Sequence, residues 1–500
     1  MPVHDGTARI ARACFRGAAY TARLWLPFEA PKLDSFAPSS PESLKVELDD
    51  GICALNDSRI DESIHIFKRL VNIDCAKSDI KRLRIKHVAC HYLAVALHHG
   101  FGRLDEAVFW WREHLRLSAQ LASQYGKMDT QGVHIYEPFW SNHVGHAAMM
   151  GIWAKRSLLE GTTRQRHYFI HDPVYKKGNS YLVQQMGQFF TLIDDYAQLP
   201  YPREYIEAVS KYLYINTGRS SARTYFWQVF SEISNDWENA ALGPLLEAPD
   251  DDLNFCANQR KAMGVPENAW HVCLHVRSSG YKDSHDNLHA ALNADIGSYD
   301  LAISSVVRRG GWIIRMGDPS MPKLESAKNV IDYAHSRRKS PKLDILLCAT
   351  SRFYIGTSSG LGYVPALYGV PSVFTNWFPT GTRPLNKSDL FIPKLHWYEI
   401  ENEFAQFDDS LAPPLGHIHL MSQFKRLGIT LRPNTRDELR GVVEEMLDRL
   451  EGGADYTIED ERLQARFDAV ACRSRSYGNA RVGRDFLRKF QDLLPTTVRA

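Results

Sequence analysis

Short apolar runs separated by stretches of helical periodicity dominate the chain from about residue 130 onward. His271-Val272-Cys273-Leu274-His275-Val276-Arg277 has period-two character, which puts Cys273, His275 and Arg277 on one face of a strand. Gly311-Trp312-Ile313-Ile314-Arg315-Met316 and Phe353-Tyr354-Ile355 are further short runs with aromatic and β-branched character. Strands near 271–276, 311–316, 352–355 and 371–375, with helices between them, predict a parallel sheet whose ligand sites lie at the carboxyl ends of its strands. The first half of this region is patterned more weakly. It predicts a strand over Val133–Tyr136, a loop over Trp140–His146, a helix over Ala147–Leu159, a strand over His167–Ile170, and helices over Tyr181–Ile193 and Ala222–Trp237. The charged, proline-containing run Glu247–Asp252 then marks a boundary.

The segment before residue 130 is helical. His91–Gly100, Gly102–Ala107, Phe109-Trp110-Trp111 and Leu115-Arg116-Leu117 resemble a tetratricopeptide helix pair, with turn glycines and a small Ala107 that lets two helices approach; residues 44–74 form a weaker pair. Two pairs fall short of the three or more repeats of an independent solenoid, so this region is expected to cap the rest of the molecule. A Pro/Ser-rich linker over 34–42 precedes it. Before the linker, Arg9, Arg12, Arg16 and Arg23 recur beside Ile10, Phe15, Tyr20 and Leu24. That pattern suits a basic amphipathic helix on an anionic membrane, or equally a terminal helix docked on its own protein. The expected organisation is a segment and linker over 1–42, a helical region over 43–128, α/β domains over 129–250 and 251–452, and a helical extension over 453–500.

With 500 residues, 44% of them hydrophobic, the chain can bury several cores. Sixty Lys and Arg against 58 acidic residues give a formal charge of +2, which excludes a global footprint for nucleic acid. The eight cysteines are scattered, with no Cys-x-x-Cys pair, and read as reduced core residues of a cytoplasmic protein. No run of about 20 apolar residues predicts a membrane span.

The chemistry concentrates at three predicted strand ends. His275 and Arg277 emerge at the first, where a planar guanidinium binds phosphate bidentately and an adjacent imidazole adds a donor or a buttress. The second carries Arg315, Gly317 and Asp318, a small residue and a carboxylate suited to a ribose hydroxyl or base amine. The third is Gly356-Thr357-Ser358-Ser359-Gly360, at a strand-to-helix turn whose N–H groups and hydroxyls suit a diphosphate. An ordinary capped turn has the same residue types. The loop is neither a Walker loop nor the dinucleotide fingerprint.

Together with Leu343-Asp344-Ile345, these residues resemble the nucleotide-binding half of GDP-fucose-using fucosyltransferases. The stretch from about 267 to 395 is more similar to a bacterial family of glycosyltransferases from surface-carbohydrate gene clusters. Tyr299, Arg315–Asp318, Ile331-Asp332-Tyr333 and Phe374-Thr375-Asn376 carry that likeness, with Gly145-His146 and the Asn434-Thr435-x-x-Glu438 helix start outside it. The resemblance implies a GT-B fold, two Rossmann-like domains facing across a central cleft, with the donor nucleotide on the second. It implies inverting, metal-independent transfer from a nucleotide-diphosphate sugar, first a GDP-sugar, to a glycan, lipid-linked, protein or small-molecule hydroxyl. No cofactor is then needed. Arg277 and Thr357-Ser358-Ser359 would stabilise the leaving diphosphate, and Asp344 would join the donor-binding residues. Leu292 stands where the family usually has Arg before Asn293-Ala294-Asp295.

The base is expected from the first domain, where His143 and His146 suit proton removal near neutral pH and Glu137 and Asp172 are rivals. His285 and His289 have metal-ligand spacing but no evident third ligand. Asp250-Asp251-Asp252 reads as a solvated helix cap rather than a metal-binding carboxylate motif. The rival functions are a GT-B-shaped sugar epimerase and a catalytically silent helical-repeat adaptor, with the helical region recruiting a protein partner. A peripheral position at the inner face of the membrane follows if the N-terminal helix binds lipid.

Overall fold

The computed structural model describes residues 40–76, 78–125, 133–162, 167–171, 178–210, 225–278, 290–325 and 327–495. The N-terminal basic segment, His285, His289 and Asp172 lie outside the described residues. Four helices come first, α1 (Pro41–Asn56), α2 (Ile60–Val71), α3 (Ile80–Phe101) and α4 (Leu104–Ala122). Local chemistry sets their ends. Ser40 caps α1 by accepting from the Ser43 N–H with Pro41 at the first position, and Asp79 caps α3 through the Arg82 N–H. In α2, Ile60, Ile64, Phe67 and Val71 form a buried stripe, with Asp61 and Glu62 in the first turn and Lys68 and Arg69 in the last.

Helix α3 stops at Gly102, which adopts the left-handed conformation (φ 63°) and donates to His98 O. A methyl group at Gly102 would lie 1.9 Å from the Pro414 carbonyl oxygen, so this glycine also lets the helical region seat against the C-terminal half. The His419 N–H donates to His99 O (2.9 Å), and Arg426 pairs with Asp61 across the same junction. The region is therefore a cap on the rest of the molecule.

Three parallel strands, β1 (His134–Tyr136), β2 (His167–Ile170) and β3 (Thr191–Ile193), follow in that spatial order. Ile135, Ile170 and Ile193 form a small core with Leu199 and Ile206. The single helix expected over Tyr181–Ile193 is instead a helix over Ser180–Met186, a turn from Gly187, and β3. Glycine disfavours helix continuation, and Thr191 and Ile193 pair with Tyr168 and Ile170. The helix expected from Ala147 begins at Val144, with His143 as its cap residue.

The second α/β unit is built on β4 (His271–His275), β5 (Trp312–Arg315), β6 (Val330–Ile331), β7 (Phe353–Gly356), β8 (Ser372–Trp377) and β9 (Leu390–Pro393). A small antiparallel sheet pairs β10 (Leu395–Tyr398) with β11 (Glu403–Phe404) and β12 (Ile429–Arg432), and β13 (Arg481–Val482) comes last. The main sheet has the order β13-β9-β8-β7-β4-β5-β6, with every pairing parallel. Residues of β4, β7 and β8 are buried throughout, as a sheet covered on both faces requires. The expected helical extension after 452 contributes the edge strand β13 as well as helix Ile458–Arg473. The expected helix start at Asn434-Thr435 is a full capping box. The Thr435 N–H donates to Glu438 Oε2 (2.9 Å), and the Glu438 N–H donates to Thr435 Oγ1.

Candidate functional site

The chain runs from β4 outward through β5 to β6, then returns to the opposite side of β4 with β7. That reversal makes the carboxyl ends of β4 and β7 the topological switch point, where open parallel sheets leave a crevice for ligand. Arg277 follows β4, and the Gly356–Gly360 loop follows β7. In register, His275 stands opposite Gly356.

The two ends are laced together. The Thr357 N–H donates to His275 O (3.2 Å), and the Arg277 N–H donates to Thr357 Oγ1 (3.1 Å). The Phe378 N–H donates to Ser358 Oγ (2.9 Å), and Ser359 Oγ lies 3.0 Å from His275 Nδ1. All three hydroxyls brace the strand ends, but Thr357 Oγ1 and Ser358 Oγ do so as acceptors and keep an O–H to donate. The N–H groups of Ser358 and Ser359 donate to no described residue, so this loop offers backbone amides as well as hydroxyls to an anion. The helix expected behind the loop is only a 3-10 turn over Gly360–Tyr363 and one α turn over Val364–Leu367. It adds little dipole.

Arg277 is half-buried, and its Nε donates to Asn293 Oδ1 (3.2 Å). Lys394 holds that neighbouring segment from behind, donating from Nζ to Ala291 O (2.7 Å) and Asn293 O (2.8 Å). Burial lowers the Lys394 pKa to about 8. Leu292, at the departure from the family pattern, packs with the cluster that contains Phe378 and Ala291. His275 is buried, and desolvation together with Arg315, Arg277 and Lys339 pushes its pKa down to about 3. It is a neutral buttress of the loop in a strongly positive neighbourhood.

The second strand end differs from expectation. Arg315 is 1% exposed and turns inward, donating to Asp332 Oδ1 (3.1 Å) and Pro322 O (2.9 Å). Its guanidinium is part of the framework, because burial of an arginine demands a carboxylate and carbonyls around it. Gly317 takes a positive φ (148°) with Met321 Sδ against it, and Asp318 Oδ1 accepts from the Ser320 N–H in a turn at the strand end. Asp344 is bound by Lys339 Nζ at 2.7 and 2.8 Å, so it neutralises a cation near His275. Asp252, expected to be solvated, instead pairs with Lys342 and accepts from the Tyr181 hydroxyl.

The first unit reaches the same place through Gly145. A methyl group on Gly145 would lie 2.3 Å from Gly360 Cα, so two backbones touch where the units meet. One residue on, the His146 ring packs at a tilt on Phe139 (4.3 Å between ring centres, 31° between planes) and lies 5.2 Å from the His143 ring. His146 Nδ1 faces Phe139 O at 3.3 Å. A carbonyl only accepts, so Nδ1 is the donor in this contact. The Gly145–Gly360 contact therefore sets the helix start that carries His143 and His146 against the loop that Arg277 bonds, while Arg315 and Asp344 are engaged with Asp332 and Lys339.

Residues that the resemblance named without a role converge here. The Tyr299 hydroxyl lies 2.6 Å from Thr375 Oγ1 and accepts from Asn376 Nδ2 (3.2 Å). Asn376, at φ 49°, exchanges hydrogen bonds with the backbone and side chain of Asn434, whose Nδ2 donates to Pro393 O. Thr375 Oγ1 donates to Gly356 O (3.3 Å), tying this buried network to the loop. Lys394 carried no such signal.

No protein-family model matches the chain, and no curated protein matches it. Among solved structures, the glycosyl transferase family 9 protein of Veillonella parvula is similar over 62% of this chain and 79% of its own, at 11% identity and a TM-score of 0.29. The ADP-heptose LPS heptosyltransferase II of E. coli is similar over 64% of this chain and 95% of its own, at 13% identity and a TM-score of 0.26. Overlays this loose leave function to the site's own geometry. Among the described residues, no helix is long and apolar enough to cross a membrane.

Proposed function

We propose that this chain is a GT-B glycosyltransferase that moves a hexosyl or deoxyhexosyl group from a nucleotide-diphosphate sugar to a hydroxyl acceptor with inversion. The observation that carries the reading is the meeting of Arg277 and the undonated Ser358 and Ser359 amides at the sheet's switch point, with His146 across the Gly145–Gly360 contact. The diphosphate lies against Arg277 and the loop amides. The acceptor oxygen attacks the anomeric carbon from the first unit's side, its proton passes to His146 Nε2, and the bond to the diphosphate breaks with its electron pair leaving on phosphate oxygen. A cation and oriented amides do there what a divalent ion does in other transferases. A GDP-sugar is the first donor to try, on the fucosyltransferase likeness. The helical cap and the N-terminal basic segment are assigned to recruiting the acceptor, as a protein surface and a peripheral membrane contact respectively.

A thermal-shift panel of GDP, UDP, ADP, CMP and dTDP tests the site, because a ligand of the native state raises apparent stability. One nucleotide is expected to raise Tm in wild type and not in Arg277→Ala. No shift with any nucleotide overturns the proposal. Interconversion of free nucleotide sugars without acceptor assigns the chain to the epimerases instead.

A further inference from the structure

Away from this site, the helical cap meets the second unit at a cluster of imidazoles. His98 and His99 end α3, while His417 and His419 lie on the segment that seats against it. One ring nitrogen of each of His98, His99 and His419 lies within 4.8 Å of the others. The His99 and His419 rings stack at 4.1 Å and 19°, and the backbone bond from the His419 N–H to His99 O fixes the two residues side by side. His98 is buried, and its Nε2 lies 3.1 Å from His417 Nδ1. Its other nitrogen, Nδ1, is buried with no hydrogen-bond partner among the described residues.

We propose that His98, His99 and His419 bind one divalent transition-metal ion of the zinc type, clamping the helical cap to the second unit. Three imidazoles and an open position are a familiar donor set for zinc, and neutral nitrogen ligands select such ions over magnesium or calcium. His417 supplies the outer partner. Metal-binding imidazoles ordinarily engage their second nitrogen with an acceptor, and His417 Nδ1 stands in that position for His98. At a Zn–N distance of about 2.1 Å, tetrahedral ligand nitrogens sit roughly 3.4 Å apart. The three rings must therefore close by about an ångström, which the half-buried His99 and His419 can supply by side-chain rotation. Arg475, the cation that bears on His417, is itself paired with Asp105.

Full-length protein freed of metal by dialysis against a chelator, then titrated with Zn2+ by calorimetry, is expected to bind one equivalent with a rise in Tm of several degrees. Co2+ in its place is expected to give the intense visible bands of a four-coordinate site. His99→Ala and His419→Ala are expected to weaken binding at least 100-fold while retaining the metal-free wild-type Tm. Absence of stoichiometric binding by wild type overturns the proposal, as does undiminished binding by the His99→Ala/His419→Ala double variant. If the variants do not fold, the Co2+ spectrum of wild type decides, and the bands of a six-coordinate ion alone count against the site.

Discussion

At the scale of single residues, two arginines from neighbouring strand ends have opposite fates. Arg277 is half-buried at the switch point, so Arg277→Ala is expected to cut donor-dependent transfer at least 100-fold, about 3 kcal/mol of transition-state stabilisation, with Tm nearly unchanged. Arg315 is buried on Asp332. Arg315→Met is expected to cost roughly 2 kcal/mol of stability, measured by urea unfolding, because Asp332 and Pro322 O lose their buried donor while Asp332 keeps the Leu324 N–H and His335. Unchanged stability in Arg315→Met, or unchanged turnover in Arg277→Ala, would reverse the two roles. Both side chains stood on the predicted strands among the donor-binding candidates, Arg277 for the diphosphate and Arg315 without a stated partner. Alternation along a strand places a residue on a face, but the partner that decides its role, Asp332, comes from a different strand end. Likewise, Thr357, Ser358 and Ser359 were legible as a small polar loop. That their hydroxyls would also brace the strands depended on His275, Arg277 and Phe378, outside the loop in sequence.

At the scale of elements, the contact between Gly145 and Gly360 joins the first turn of the Val144–Leu159 helix to the loop after β7. A side chain on either residue meets backbone, which cannot swing aside. Gly145→Ala is expected to destabilise the protein by about 2 kcal/mol and to depress transfer by separating His146 from the loop. Gly161→Ala is the control. That exposed turn has open space and a positive φ (65°), so it is expected to cost about 1 kcal/mol and to leave turnover alone. Equal loss of activity in both variants would refute the contact's role. Element types were largely readable: β4, β5, β7 and β8 fall within a residue or two of the predicted runs, because buried parallel strands are nearly continuous apolar segments. The reading failed where a short strand followed a helix without a strong stop, as at Met186–Ile193, and where one turn of helix did duty for a full one, as at Val364–Leu367.

For the whole molecule, what the sequence concealed is how the parts close on one another. Helix Val144–Leu159 is buried along most of its length because it packs against the second unit as well as its own, around a small cavity that Met149, Ile152, Lys155, Leu367, Phe374 and Asp389 line. Asp389 is fully buried. It accepts from the Ser372 N–H (2.8 Å) and Asn386 Nδ2 (3.0 Å), and desolvation raises its pKa to about 7, with Glu238 adding to the rise and Arg449 opposing it. Lys155, lowered by its own burial, is the cation contributed by the first unit. Between about pH 4 and 7 the native state keeps a proton on Asp389 that the unfolded chain has lost, so this contribution to stability is complete below pH 4 and declines as pH rises to 7. Three pKa units correspond to roughly 4 kcal/mol, an upper bound because Lys155 relieves part of the burial. Asp389→Asn, which can still accept one hydrogen bond, is expected to remove that decline and to be more stable than wild type at pH 8. Urea unfolding from pH 5 to 8 checks it, and parallel profiles for the two proteins would mean that Asp389 is ionised across the range and held by Lys155.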